Sequence, residues 1–178
     1  MIADPIRLHQ AKHLLAHVLT ASVRRRWAMV GTGDSGETRE GFFVDLLVGE
    51  EVDVEGHLPA LEADMRRVLT EAKRFSAVEL APEAAREYFP GNPIKQGLLG
   101  VFAEWEQPAQ LYDLDGVVDV CDCALKDPKH LRAIPPGVFA LSSAVRLPWH
   151  EHARMLWVTR ITGTVVGAEA CRCAVCAR

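Results

Sequence analysis

Long apolar runs are missing from this sequence. No stretch approaches the ~18 consecutive apolar residues that a membrane-spanning helix needs. The N-terminus has no basic segment leading into an apolar one, so neither a membrane protein nor a secretory leader is expected. Surplus positive charge is missing too. Twenty lysines and arginines stand against 24 aspartates and glutamates, a net charge of -4. Without a global basic field the chain is not expected to bind DNA, although a local basic face remains open. Repeats, linkers and low-complexity tracts are absent. The five cysteines are an odd number. A disulfide scaffold therefore fits less well than a reduced, cytoplasmic protein with functional or metal-binding thiols. What remains is a chain of 178 residues, 49% apolar. That is enough for one domain with a sizeable core.

The most informative stretch is His9-Gln10-Ala11-Lys12-His13-Leu14-Leu15-Ala16-His17. No Gly or Pro interrupts it, and Asp4-Pro5 suits an N-cap followed by proline in the first turn. On a helix, positions four apart lie along one side, so the three imidazoles project roughly the same way. Leu8, Ala11, Leu15 and Val18 face the core from the neighbouring stripe. A histidine pair at i, i+4 can supply half of a metal or catalytic site from one helix. His17, a turn further on, reads as helix surface and is left out of the site. Arg24-Arg25-Arg26-Trp27 then reads either as favourable charge at a helix end or as a phosphate contact.

Gly31 to Gly36 is a loop by composition, without the spacing or the lysine of a phosphate-binding loop. Gly41 to Val48 is a largely buried strand. Apolar residues at helical spacing from Leu58, with Pro59 in the first turn, predict a helix to about Arg74. A short strand over 76–80 and a short helix over 82–89 follow. From Ile94 onward the pattern favours β structure. Asp115-Gly116 marks a hairpin turn between Ala109–Asp113 and Val117–Cys121. Cys123 to Gly137 is a loop, and 138–147 and 155–166 are strands. The fold class is α+β: an antiparallel sheet packed with a long N-terminal histidine-bearing helix and a second long helix. The domain covers 1–166. The tail, 167–178, holds Cys171, Cys173 and Cys176 and is expected to be separate and reduced.

Several landmarks match a known family in order. His9-x-x-x-His13-Leu14-Leu15-Ala16, Gly41-Phe42-Phe43-Val44-Asp45, Asp119-Val120-Cys121 and Arg160-Ile161-Thr162-Gly163-Thr164 resemble motifs of the editing domain of bacterial threonyl-tRNA synthetase. Its superfamily includes the alanyl-tRNA editing domains and their free-standing relatives. The resemblance runs to about Val166. Two departures stand out. The family's histidine four residues after the cysteine is Leu125 here, with His130 as the expected replacement and Cys123 as a competing ligand. Val44 stands where the family usually has a tyrosine.

The resemblance implies a hydrolase acting in trans on mischarged tRNA, with seryl-tRNA for threonine, or a threonine analogue, as substrate. It implies that His9 and His13 orient water and the terminal adenosine. Asp119 and Lys95 would bind the amino group and the carbonyl or ribose side, with Cys121 and His130 completing the pocket. His9, His13, Cys121 and His130 could together hold Zn²⁺. The alanyl-type members are associated with zinc and the bacterial threonyl type works without it, so no cofactor and zinc both stay open. Arg24, Arg25, Arg26 and Lys129 are the expected tRNA contacts. The rival readings are a repurposed pocket for a free amino acid or another aminoacyl ester, and a non-catalytic tRNA-binding module.

Overall fold

The computed structural model describes residues 5–121, 125–151 and 154–166. Asp4, Cys123 and the tail with Cys171, Cys173 and Cys176 lie outside the described residues. The first helix, α1, runs Pro5–Arg26. Leu8, Ala11, Leu14, Leu15, Val18, Leu19 and Val23 are all buried. A helix apolar on more than one side must be covered on more than one side. It packs on α2 (Leu58–Glu71), on strands β1 (Gly31–Glu37) and β2 (Gly41–Leu47), and against β5 (Val117–Val120).

Two antiparallel sheets form instead of the single one expected. The larger has the order β1-β2-β7-β6, where β6 is Phe139–Glu151 and β7 is Arg154–Val165. The smaller is β3-β4-β5, with β3 at Phe75–Leu80 and β4 at Ala109–Leu114. Short helices α3 (Pro82–Arg86) and α5 (Pro128–Arg132) and the longer α4 (Pro93–Glu104) complete the α+β fold. Among the described residues no helix is long and apolar enough to cross a membrane.

Two segments depart from expectation. Residues 31–36 are strand, not loop. Thr32 pairs with Leu46 and Ser35 with Val44, so β1 carries one extra residue between them, a bulge. Glu37 pairs with Phe42 beyond it. Residues 94–104 are helix, not strand. Asn92 caps α4 by accepting from the Lys95 backbone N–H at 3.1 Å, and Pro93 sits in the first turn, a helix start that outweighs the glycines. The second helix also ends early. The Lys73 and Arg74 backbone N–H groups leave it to donate to Asp115 at 3.1 and 2.7 Å. Asp115 and Gly116 both have positive φ, 49° and 91°, the two-residue turn that matches strand twist.

The second and the last of the family-like motifs are neighbours. Gly41 faces Thr164 and Phe42 faces Gly163 across β2 and β7. A Cβ on Gly41 would collide with the Gly163 carbonyl, and one on Gly163 would enter the Phe42 ring. Arg160 donates twice to Asp45, at 2.7 and 2.8 Å, and lies 4.1 Å over the Phe43 ring. That forked hydrogen bond outweighs burial and raises the Arg160 pKa.

Candidate functional site

The histidine stretch lies in the middle of α1, between the two sheets. His13 is the hub. Its Nε2 lies 3.2 Å from the Cys121 Sγ, a residue 108 positions away. Its Nδ1 lies 3.0 Å from one oxygen of Glu37. His17 Nε2 stands 3.1 Å from His13 Nε2. His17 is not surface. It is 3% exposed, with its ring 4.1 Å from the Tyr112 ring and 6.1 Å from that of Phe75. At His17 the face of α1 expected to be wet is covered by the smaller sheet. His9 turns to the second oxygen of Glu37, so one carboxylate bridges both imidazoles of the i, i+4 pair.

Among the described residues, His13, His17 and Cys121 hold ligand atoms all within 4.8 Å of one another. Of the four expected metal ligands, two are in this group. His9 faces Glu37, and His130 stands on α5 outside it. Two imidazole nitrogens and a thiolate form a donor set suited to zinc. A carboxylate behind one histidine is the usual outer support of such a ligand. The residues therefore fit a metal.

Beside the cluster is a cavity of about 670 Å³. Its lining includes His13, His17 and Cys121, the polar Ser35, Gln107 and Gln110, and the apolar Leu98, Phe102, Pro108 and Val120. Leu98 is 38% exposed, and the helix that bears it is the one the sequence pattern assigned to β structure.

Lys95 and Asp119 are together but turned inward. Their charges meet at 2.6 Å, both side chains almost fully buried. Thr32 donates to the other Asp119 oxygen at 3.0 Å, and Asn92 donates to the Thr32 carbonyl at 2.8 Å. Neither charged group lines the cavity. The basic run also has partners. Arg25 pairs with Asp115 at 3.2 Å and Arg26 with Asp64 at 2.7 Å. Arg67 shares Asp64, and Lys129 pairs with Asp127 at 3.0 Å. Burial pushes the Asp64 carboxyl up, but hydrogen bonds from Arg26 and Arg67 win and hold it below its ordinary 3.8.

Glu37 carries no signal in the sequence: an acid at the end of a glycine-rich segment belongs to no periodic pattern. His17 did carry one, as the third member of the four-residue spacing.

No protein-family model matches the chain. It is similar to threonine–tRNA ligases. With that of Natronomonas pharaonis it is 26% identical over 162 residues, covering 91% of this chain and 24% of that protein. With the Enterococcus faecalis enzyme it is 28% identical over 153 residues, covering 86% and 23%. With the Thermotoga maritima enzyme it is 27% identical over 169 residues, covering 92% and 25%. The chain thus spans about a quarter of the length of the curated relatives it matches.

Proposed function

We propose that this chain is an editing-type hydrolase that cleaves the ester of a mischarged aminoacyl-tRNA in trans, seryl-tRNA for threonine or a threonine analogue being the substrate. The observation that carries the reading is His13 against Cys121 at 3.2 Å, both lining a cavity, in a chain similar over most of its length to threonine–tRNA ligases. The cavity falls within the roughly 300–1,000 Å³ typical of small-ligand sites.

Ester hydrolysis needs a held water, a group to take its proton, and donors for the oxyanion. In the metal-free site His13 takes the proton at Nε2, the nitrogen turned to Cys121; with zinc held there that lone pair would be a ligand, and the metal's acidified water would take over the base's part. Ser35, Gln107 and Gln110 offer hydrogen bonds to the carbonyl, the amino group or the terminal ribose. Leu98 and Phe102 offer an apolar surface to the substrate. His13, His17 and Cys121 are the residues that would hold zinc, which when bound supplies Lewis-acid polarisation and a more acidic water. A second pocket sieves by size what attraction alone separates by only ~1–3 kcal/mol. The transfer-RNA backbone would meet the basic end of α1 at Arg24, Arg25 and Arg26, with Lys129 a further contact.

One observation favours a second reading. Lys95 and Asp119 neutralise each other away from the cavity, so the groups the resemblance implies for the amino group and ribose are engaged elsewhere. The pocket would then take another aminoacyl ester. Deacylation measured over a panel of charged tRNAs tests both. Cleavage of seryl-tRNA for threonine, with threonyl-tRNA spared, is the expected result. Selective cleavage of a different ester favours the second reading, and no cleavage of any member overturns both.

A further inference from the structure

We propose that Glu37 is the positioning residue of this site, deciding which nitrogen of His13 carries the proton. A carboxylate only accepts hydrogen bonds. One of its oxygens lies 3.0 Å from His13 Nδ1 in hydrogen-bond geometry, so that nitrogen must carry its hydrogen, while the other oxygen makes a charge contact with His9 Nδ1. In the neutral His13 ring, Nε2 is then bare. That bare nitrogen is the one facing the Cys121 thiol and His17 Nε2. With the opposite tautomer, His13 would present an N–H to the cluster and could neither accept a proton nor bind a cation there.

The fold invests in this contact. Lys12, between the two histidines, is fully buried. Its ammonium donates to the Thr38 and Arg39 carbonyls at 3.2 and 2.7 Å. These are the two residues that follow Glu37 in the turn to β2. One turn of helix thus holds the hairpin end by three side chains: Lys12 on its backbone, His9 and His13 on its carboxylate. Glu37 itself is mostly covered, with 16% of its side chain exposed.

The inference deepens the hydrolytic reading and rests on it only for the rate. Its test is a two-bond proton–nitrogen spectrum of protein labelled with ¹⁵N-histidine, taken as purified and after chelation. His13 is identified by its loss in His13→Ala. The wild-type protein is expected to show His13 protonated at Nδ1, with Nε2 bare or metal-bound. Glu37→Gln is nearly isosteric, but its amide oxygen replaces one of the two acceptors and its NH₂ is a donor. In that variant His13 is expected to move toward the Nε2-protonated form. Deacylation should fall about 10–100-fold, as for outer partners of other sites. Three results overturn the proposal: wild-type His13 protonated at Nε2 while Nδ1 is bare, an unchanged His13 signal in the variant, or an unchanged rate beside a shifted signal. The wild-type spectrum serves even if the variant does not fold. If wild-type protein cleaves no charged tRNA, the hydrolytic reading falls while the spectra still decide Glu37.

Discussion

Lys95, Asp119 and Thr32 form one polar cluster of this protein; His13, His17, Cys121 and Glu37 form the other. Both draw on β1 and on the end of β5, where Asp119 and Cys121 are two residues apart. The first is closed: both charges are buried and compensate each other, and Asp119 is filled on its second oxygen by Thr32. The second is open on one side to a cavity, with acceptor and ligand atoms facing one another across 3.1–3.2 Å. A closed cluster is expected to hold the fold, because removing one partner strands a buried charge. An open one can lose a member and still fold, because solvent and cavity relieve what is left. Residues that the family resemblance picks out thus stand in both kinds of surroundings, Lys95 and Asp119 in the closed one and His13 and Cys121 in the open one.

The sharpest way to break this contrast is Asp119→Ala. It should cost about 3–5 kcal/mol of stability by leaving Lys95 buried and unpaired, read as a lower denaturation midpoint. Replacing both partners by apolar residues, Lys95→Met with Asp119→Leu, should recover most of the loss. An unshifted midpoint in Asp119→Ala would remove the structural role. On the open side, His13→Ala and Cys121→Ala should each slow deacylation by about 10²–10⁴-fold. Their circular dichroism should stay that of the parent, and full activity in both would place the chemistry elsewhere.

Metal content sharpens the comparison further. Elemental analysis of protein purified without chelator is expected to find about one zinc per chain. His17→Ala should release it and truncation after Val166 should not. The opposite pattern would place the metal at the tail cysteines. The smallest effect belongs to the basic run. Neutralising Arg24, Arg25 and Arg26 together should weaken tRNA binding and flatten its salt dependence without changing which amino acid is removed. Because Arg25 and Arg26 already answer Asp115 and Asp64, the salt slope should drop by less than the ~1 per residue of a free contact. An unchanged slope would reduce the run to a helix end.

The sequence made α1 and its imidazoles legible because the four-residue spacing and the absence of breakers are local facts. The β4–β5 hairpin was legible because Asp115-Gly116 is a local conformational choice. The misreadings are tertiary. Gly31 to Gly36 looks like a loop, yet a bare backbone there admits Ile94 of α4, against which a Cβ on Gly33 would come within 2.8 Å. The segment from Ile94 looks like β structure, yet a helix start is written in Asn92-Pro93. His17 looked wet because a helix is ordinarily covered on one side, and α1 is covered by both sheets. Glu37 and the inward pairing of Lys95 with Asp119 were beyond local reading, since neither spacing nor composition says which buried group an acid will meet.

The bulge in β1 has a bearing on how this chain can change length. Thr32 serves the closed cluster and Glu37 the open one, and both point to the face of Phe42 and Leu46, their cross-strand partners. In an unbroken strand, residues five apart point to opposite faces. The extra residue between Thr32 and Ser35 keeps the two in phase. It is therefore one residue of slack, placed between the two sites that share the strand. A single deletion at Gly33 or Asp34 would heal the ladder and leave both side chains on one face. A single insertion there would need a second irregularity to keep them so. The hairpin can shorten by one where it can least afford to lengthen.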